Sequence, residues 1–281
     1  MENADNNLIL QVDVDKILEA KNPTLKKIIP SFVISWLKKI IHQDEVNDFL
    51  SKHKNLKDEQ FIKALLQYIN VKYSVIGTEN IPVGGRHFFV SNHPLGGLDG
   101  TLFINEISKW HSNIKFPVND ILTYIENLSG IFLPINKHGS QSKETAKQLE
   151  EAYASDCQIL YFPAGLCSRK TGNEIKDLQW HKNFIIKAIQ YKRDVVPAYF
   201  SGQNSRFFYN LANLRKTLGI KANIEMLFLP DEMFKQKDKE ITIVFGEKIP
   251  YHFFDKSKTP SQWAEWVKVE CYKLSEKIST K

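Results

Sequence analysis

No stretch of this sequence approaches the roughly 18 to 20 consecutive apolar residues of a membrane-spanning helix. The longest candidate, Ile28 to Trp36, is short and is broken by Pro30, Ser31 and Ser35. Cysteine is scarce: Cys157, Cys167 and Cys271 lie far apart with no Cys-x-x-Cys pair. That argues against a cysteine zinc site or a disulfide framework and fits a reducing compartment. The histidines, His138 and His181 among them, show no metal-ligand spacing. There is no internal repeat and no low-complexity tract. The segment Met1-Glu2-Asn3-Ala4-Asp5 is acidic and lacks the basic and apolar regions of a signal peptide. The expectation is an intracellular protein.

What is present is an ordinary globular composition of 281 residues, 42% hydrophobic and 25% charged. That length fits one large α/β domain with an extension, or two small domains. The formal charge of +6 and a pI near 9.0 imply attraction to polyanions. Nucleic acid, anionic lipid and acyl carrier protein all meet that description. Arg206, Phe207, Phe208, Tyr209 and Arg215 mix basic and aromatic residues, yet they are too few and scattered for a nucleic-acid surface.

Residues 12–70 read as helical. Between Leu25 and Leu50, Ile28, Ile29, Phe32, Val33, Trp36, Leu37, Ile40 and Ile41 build one apolar stripe, flanked by Lys26, Lys27, Lys38 and Lys39. Pro30 would begin or kink this helix. The stripe suits a helix packed on the rest of the protein, or one dipping into a membrane interface with Trp36 at headgroup level. A further helix is expected over Asp58 to Tyr68. From residue 71 the texture changes to short β-type runs: Val71–Ile76, His87–Ser91, Ile131–Ile135, Gln158–Phe162, Val195–Phe200, Ile224–Leu229 and Ile241–Phe245. Helical patterns at Ser142–Ala154, which Ser142 would cap, and Leu178–Tyr191 lie between them. The pattern predicts an α/β fold: a largely parallel mixed sheet flanked by helices. A helical extension (1–70) precedes this α/β domain (71–281). Ligands of such sheets gather beyond the carboxyl ends of the strands, where two local features fall.

The first is Asn92-His93-Pro94-Leu95-Gly96-Gly97-Leu98-Asp99, directly after a strand. A histidine is suited to take a proton from an attacking hydroxyl near neutral pH. A carboxylate on its other ring nitrogen would fix the tautomer and stabilise the imidazolium. On one continuous helix the two would point about 120° apart. Pro94, Gly96 and Gly97 predict instead a loop that folds Asp99 back toward His93. The same residues also fit a turn with a surface histidine and a capping aspartate. The second feature is Phe162-Pro163-Ala164-Gly165-Leu166-Cys167-Ser168-Arg169-Lys170. Backbone N–H groups in such a turn bind anions, and Arg169 or Lys170 would add charge. An ordinary strand-to-loop turn with solvated cations fits as well. No partnering pattern marks Cys167 as a nucleophile.

These blocks, in this order, resemble the phospholipid and glycerol acyltransferases. That family carries a His-x4-Asp block, an arginine-bearing block, a Phe-Pro-Glu-Gly block and a Val-Pro block. This chain has His93 to Asp99, then Gly130 to Lys137, then Phe162-Pro163-Ala164-Gly165, then Val195-Val196-Pro197-Ala198. Ile241 to Pro250 is similar to the late strand and Gly-x-x-Ile-Pro turn of these enzymes. The resemblance covers residues 70–250 and implies transfer of a fatty acyl group from acyl-CoA or acyl carrier protein to a lipid hydroxyl. It implies His93 as general base and Asp99 as its orienter, with Lys137, Gly165, Ser168 and Arg169 at the acceptor headgroup. No metal and no tightly bound cofactor are expected. The implied location is cytoplasmic, peripheral to the inner face of a bacterial cell membrane.

The departures bear on the acceptor. The His-to-Asp spacing is one residue longer than the family pattern, Ala164 replaces the glutamate of the third block, and Cys167 stands where an arginine is usual. Lys137 takes the place of the second block's arginine. These features look more like the bacterial, hemolysin-like branch that acylates lyso-ornithine or lyso-glycine lipids than a 1-acyl-glycerol-3-phosphate enzyme. An acyl ester or thioester hydrolase and a non-catalytic lipid-binding module remain the competing readings.

Overall fold

The computed structural model describes residues 11–21, 28–119, 122–123, 125–135 and 143–278. Lys26, Lys27, Lys137 and Ser142 fall outside the described residues, as does the end of the second block at Asn136. Among the described residues, four helices precede the sheet: α1 (Val14–Lys21), α2 (Ser31–Ile40), α3 (Gln43–Lys52) and α4 (Asp58–Ile69). The stripe residues Phe32 to Ile40 lie within α2, and His42 separates that helix from α3 by adopting a left-handed conformation, with φ of 53°. Pro30 precedes the first turn of α2, where its missing N–H removes no helical bond.

Seven strands then form one sheet: β1 (Lys72–Ile76), β2 (His87–Ser91), β3 (Ile114–Asn119), β4 (Phe132–Ile135), β5 (Gln158–Tyr161), β8 (Asp194–Phe200) and β9 (Glu240–Phe245), with the short hairpin β6 (Arg169–Thr171) and β7 (Glu174–Lys176) standing apart. The spatial order is β1-β9-β8-β2-β5-β3-β4. Every pairing in the sheet is parallel except β8 against β9. The helices α5 (Gly97–Ile107), α6 (Lys143–Ala154), α7 (Asn183–Tyr191), α8 (Arg206–Thr217), α9 (Leu229–Phe234) and α10 (Pro260–Lys273) connect or follow the strands. Thr259 and Gln262 form a reciprocal capping box at the start of α10.

Strand β2 lies at the centre and is buried along its whole length. Its side chains alternate between two cores, as the pleat requires. Phe89 enters a core with Phe61, Ile62 and Leu66 of α4 and Leu102 and Phe103 of α5. Phe88 and Val90 enter the opposite core with Phe184 and Ile185 of α7 and Trp263 and Val267 of α10. Helices thus cover both faces, the arrangement a mainly parallel sheet needs.

Two sequence expectations fail locally. The run Ile224–Leu229 is not a strand: Ile224–Phe228 forms a 3-10 turn that leads into α9. Pro230 at the start of α9 and acidic Asp231 and Glu232 in its first turn favour a helix start there. Leu178–Lys182 is irregular, and α7 begins only at Asn183. Strand β3 and the β6–β7 hairpin escaped the sequence reading altogether.

Candidate active site

The chain leaves β2 at Ser91 and passes through Asn92 to His93. Asn92 is an anchor: its side-chain amide donates to the Phe200 carbonyl (2.9 Å) and its oxygen accepts from the Phe200 N–H (2.7 Å). That ties the end of β2 to the end of β8. Gly96 then turns the chain with φ of 77°, and α5 starts at Gly97. A side chain at Gly96 would be doubly unfavourable, because its Cβ would also stand 2.9 Å from a Leu229 methyl. The fold-back is completed within Pro94–Gly96, so Asp99 sits in the first turn of a helix rather than in a loop.

His93 Nδ1 lies 3.1 Å from both carboxylate oxygens of Asp99. Asp99 is fully buried and also accepts N–H bonds from Leu95 (2.8 Å) and Gly100 (2.9 Å). A carboxylate can only accept, so the imidazole proton sits on Nδ1 and Nε2 is left as the basic nitrogen. Burial works against charging His93, but the Asp99 carboxylate and the Cys167 thiol, which hydrogen-bonds the ring, outweigh it. The pKa is raised well above the ordinary 6.5. Phe162 stacks on the ring, centroids 4.1 Å apart, and fixes its plane.

The Phe162–Lys170 turn is packed against this pair. Gly165 adopts φ of 66° and donates its N–H to the Phe162 carbonyl at 3.0 Å. The Ser168 N–H donates to the His93 carbonyl (2.8 Å), and the Ser168 hydroxyl to Asp177 Oδ1 (2.6 Å). Arg169 does not join them. Its guanidinium is buried, donating to the Cys167 carbonyl (2.8 Å) and to Glu225 Oε1 (2.8 Å), while Arg215 holds the same carboxylate from the other side. Arg169 is the cation of a closed structural cluster.

Asp177 is the residue that sequence reasoning missed. Oδ1 accepts the His93 N–H (3.1 Å) as well as the Ser168 hydroxyl, and Oδ2 accepts the Trp180 indole N–H (2.9 Å). Its own N–H donates to the Tyr272 hydroxyl of α10 (2.8 Å). Burial raises the Asp177 pKa against the hydrogen bonds that lower it. Nothing in Glu174-Ile175-Lys176-Asp177 distinguishes this carboxylate from a solvated surface charge. Beside the loop opens a pocket of about 280 Å³, lined by Asn92, Pro94, Ser168, Tyr199, Gln203 and Tyr272 among others, none of them charged. Among the described residues, no group of three His, Cys, Asp or Glu side chains is placed to hold a metal ion.

A mainly parallel α/β sheet with a partly exposed, oriented imidazole beyond the end of its central strand suits proton transfer at a hydroxyl. The sequence profile of the acyltransferase family matches residues 16–280, and the chain belongs to that family. It is an enzyme of acyl transfer. Among curated relatives, the lyso-glycine lipid O-acyltransferase of Bacteroides thetaiotaomicron is 52% identical over 96% of this chain and 99% of its own length. The lyso-glycine lipid O-acyltransferase of Phocaeicola vulgatus is 49% identical over 96% and 97%. Among solved structures, the 1-acyl-sn-glycerophosphate acyltransferase PlsC of Thermotoga maritima matches 87% of this chain and 92% of its own, with 17% identity and a TM-score of 0.44.

Proposed function

We propose that this enzyme transfers a fatty acyl group from the thioester of acyl-CoA or acyl carrier protein to the hydroxyl of a lyso-glycine lipid. His93 Nε2 takes the proton of the acceptor hydroxyl as its oxygen attacks the thioester carbonyl. The C–S bond breaks, and the departing thiolate recovers that proton from the imidazolium. Asp99 holds the tautomer and stabilises the charged ring. The His93–Asp99 contact, with both oxygens at 3.1 Å, carries the mechanistic part of this reading.

The acceptor is supported by near full-length relatives that bear that activity in their names, and by the site's charge. A phosphate monoester is recognised through Arg or Lys forks. Here Arg169 is taken up by Glu225, and among the described residues the pocket beside His93 has no cation in its lining. We assign acceptor contact to the Gly165 turn and Ser168, with Lys137 a lone point charge rather than a bidentate fork. The helices of residues 1–70 are read as an extension resting on the inner face of the cell membrane. Among the described residues no helix is long and apolar enough to cross it.

The test uses purified protein, labelled acyl-CoA or acyl carrier protein, and lyso-glycine lipid beside lysophosphatidate and lyso-ornithine lipid. Diacylated glycine lipid is the expected product. Equal or better use of lysophosphatidate would overturn the acceptor, and release of free fatty acid alone would overturn transfer.

A further inference from the structure

Helix α8, singled out in the sequence for its mixture of basic and aromatic residues, is apolar on two sides. Phe208 and Tyr209 point inward and pack with Cys167. Phe207, Leu214 and Leu218 share another face by helical spacing, and they are 49%, 54% and 63% exposed. A soluble helix buries one apolar stripe and presents polar residues elsewhere, so a second exposed stripe marks a contact surface. The surface continues beyond α8. Phe207 meets Phe228 edge-on with centroids 4.9 Å apart, and Phe228 meets Trp36 of α2 at 5.8 Å. Exposed Leu227 adjoins them, and Phe32, one turn from Trp36, is 72% exposed. Two segments distant in sequence thus form one aromatic and aliphatic face.

Its rim is basic. Arg206, next to Phe207, and Lys39, on the Phe32 side of α2 by helical spacing, are exposed, and no acidic residue occurs between Arg206 and Ile224. Lys235 lies over the Phe207 ring at 6.0 Å, paired with Asp231 and Glu232. The face also lies one layer outside the imidazole. Leu229, next to Phe228, packs with Cys167 and closes over Gly96.

We propose that this face seats the enzyme on an anionic lipid bilayer. Phe32, Trp36, Phe207, Leu214, Leu218 and Leu227 enter the boundary between headgroups and acyl chains, and the basic rim meets the headgroups. The inference rests on the lipid-acceptor reading and adds the second element of contact, α8 with the turn after it, to the helices of the extension. A second copy of the chain fits less well, because a two-fold contact through this face would oppose two basic rims.

The test is flotation of the full chain with phosphatidylcholine vesicles, with and without phosphatidylglycerol. Wild type should float with the anionic vesicles, less so at high salt. L214S/L218S should lower partitioning by roughly tenfold or more, with an unchanged unfolding midpoint because both side chains are exposed. F32S/W36S should lower partitioning similarly, while R206E/K39E should reduce only the phosphatidylglycerol-dependent part. Wild type that stays with neither vesicle, or L214S/L218S that floats like wild type, overturns the proposal. So does a change in oligomeric state on L214S/L218S with flotation intact, which would make the face a self-interface. Acyl transfer to acceptor dispersed in detergent micelles separates this from the reaction itself. Leucine-dependent flotation without any lyso-glycine lipid product leaves the docking face standing and removes only the acceptor assignment.

Discussion

Two buried ionic groups flank Cys167, and they differ in what they leave open. In Arg169–Glu225–Arg215 the central carboxylate is held by guanidinium donors on both sides and both arginines are buried. The His93–Asp99 pair is saturated only on the carboxylate side. Asp99 accepts two N–H bonds besides the imidazole, whereas the ring's other partner is the Cys167 thiol, a weak hydrogen-bonding group that a substrate hydroxyl can replace. A closed cluster fixes chain segments; an incomplete one has a valence left for substrate.

His93→Ala removes that valence and sharpens the contrast most. Acyl transfer per folded molecule should fall on the order of 10²- to 10⁴-fold, with far-UV circular dichroism unchanged. Full activity in a folded His93→Ala protein would end the comparison. Glu225→Ala should do the opposite. It leaves two buried cations unpaired and should cost about 3–5 kcal/mol of stability, measured by urea unfolding, while turnover per folded molecule stays near wild type.

Asp99→Asn tests the coupling inside the open pair. Without the carboxylate, burial lowers the His93 pKa, so the acid limb of the pH–kcat/KM profile should move to lower pH while the plateau rate drops. The pair also contributes to stability. Its His93 component is fully present below about pH 6.5 and fades as pH rises through the raised folded pKa. The stability gap between wild type and Asp99→Asn should therefore be wider at pH 6 than at pH 9 by denaturant unfolding. Ser168→Ala is the smallest expected effect. It deletes one hydrogen bond to Asp177 and should cost about 1–2 kcal/mol in urea unfolding, with the acid limb of the pH profile unmoved.

The central strands were legible because their apolar runs are bounded and short, as at His87–Ser91 and Gln158–Tyr161. Strand β3 was missed although Ile114, Phe116 and Val118 alternate with Lys115, Pro117 and Asn119, because a proline inside the run argues against a strand interior. Ile224–Phe228 misled in the other direction, since its four apolar residues surround Glu225, which is buried rather than on a solvent face. The His93–Asp99 pair was visible because both partners lie in one loop-and-turn segment. Arg169 and Asp177 were not, because the role of each is set by a partner far along the chain. Glu225 takes Arg169 out of the cleft, and Tyr272 and His93 bring Asp177 into the core. Spacing within a motif carries no information about such partners.

The junction at Asp177 has a consequence for how the site can open. His93 gives its amide proton to a carboxylate whose own N–H is bonded to the last long helix. Movement of the His93 backbone is therefore coupled to the docking of α10. In hydrogen exchange the His93 amide should report the opening free energy of that cooperative unit rather than of an exposed loop. The imidazole is held to the C-terminal part of the chain through a single buried carboxylate, which makes its position a property of the whole domain.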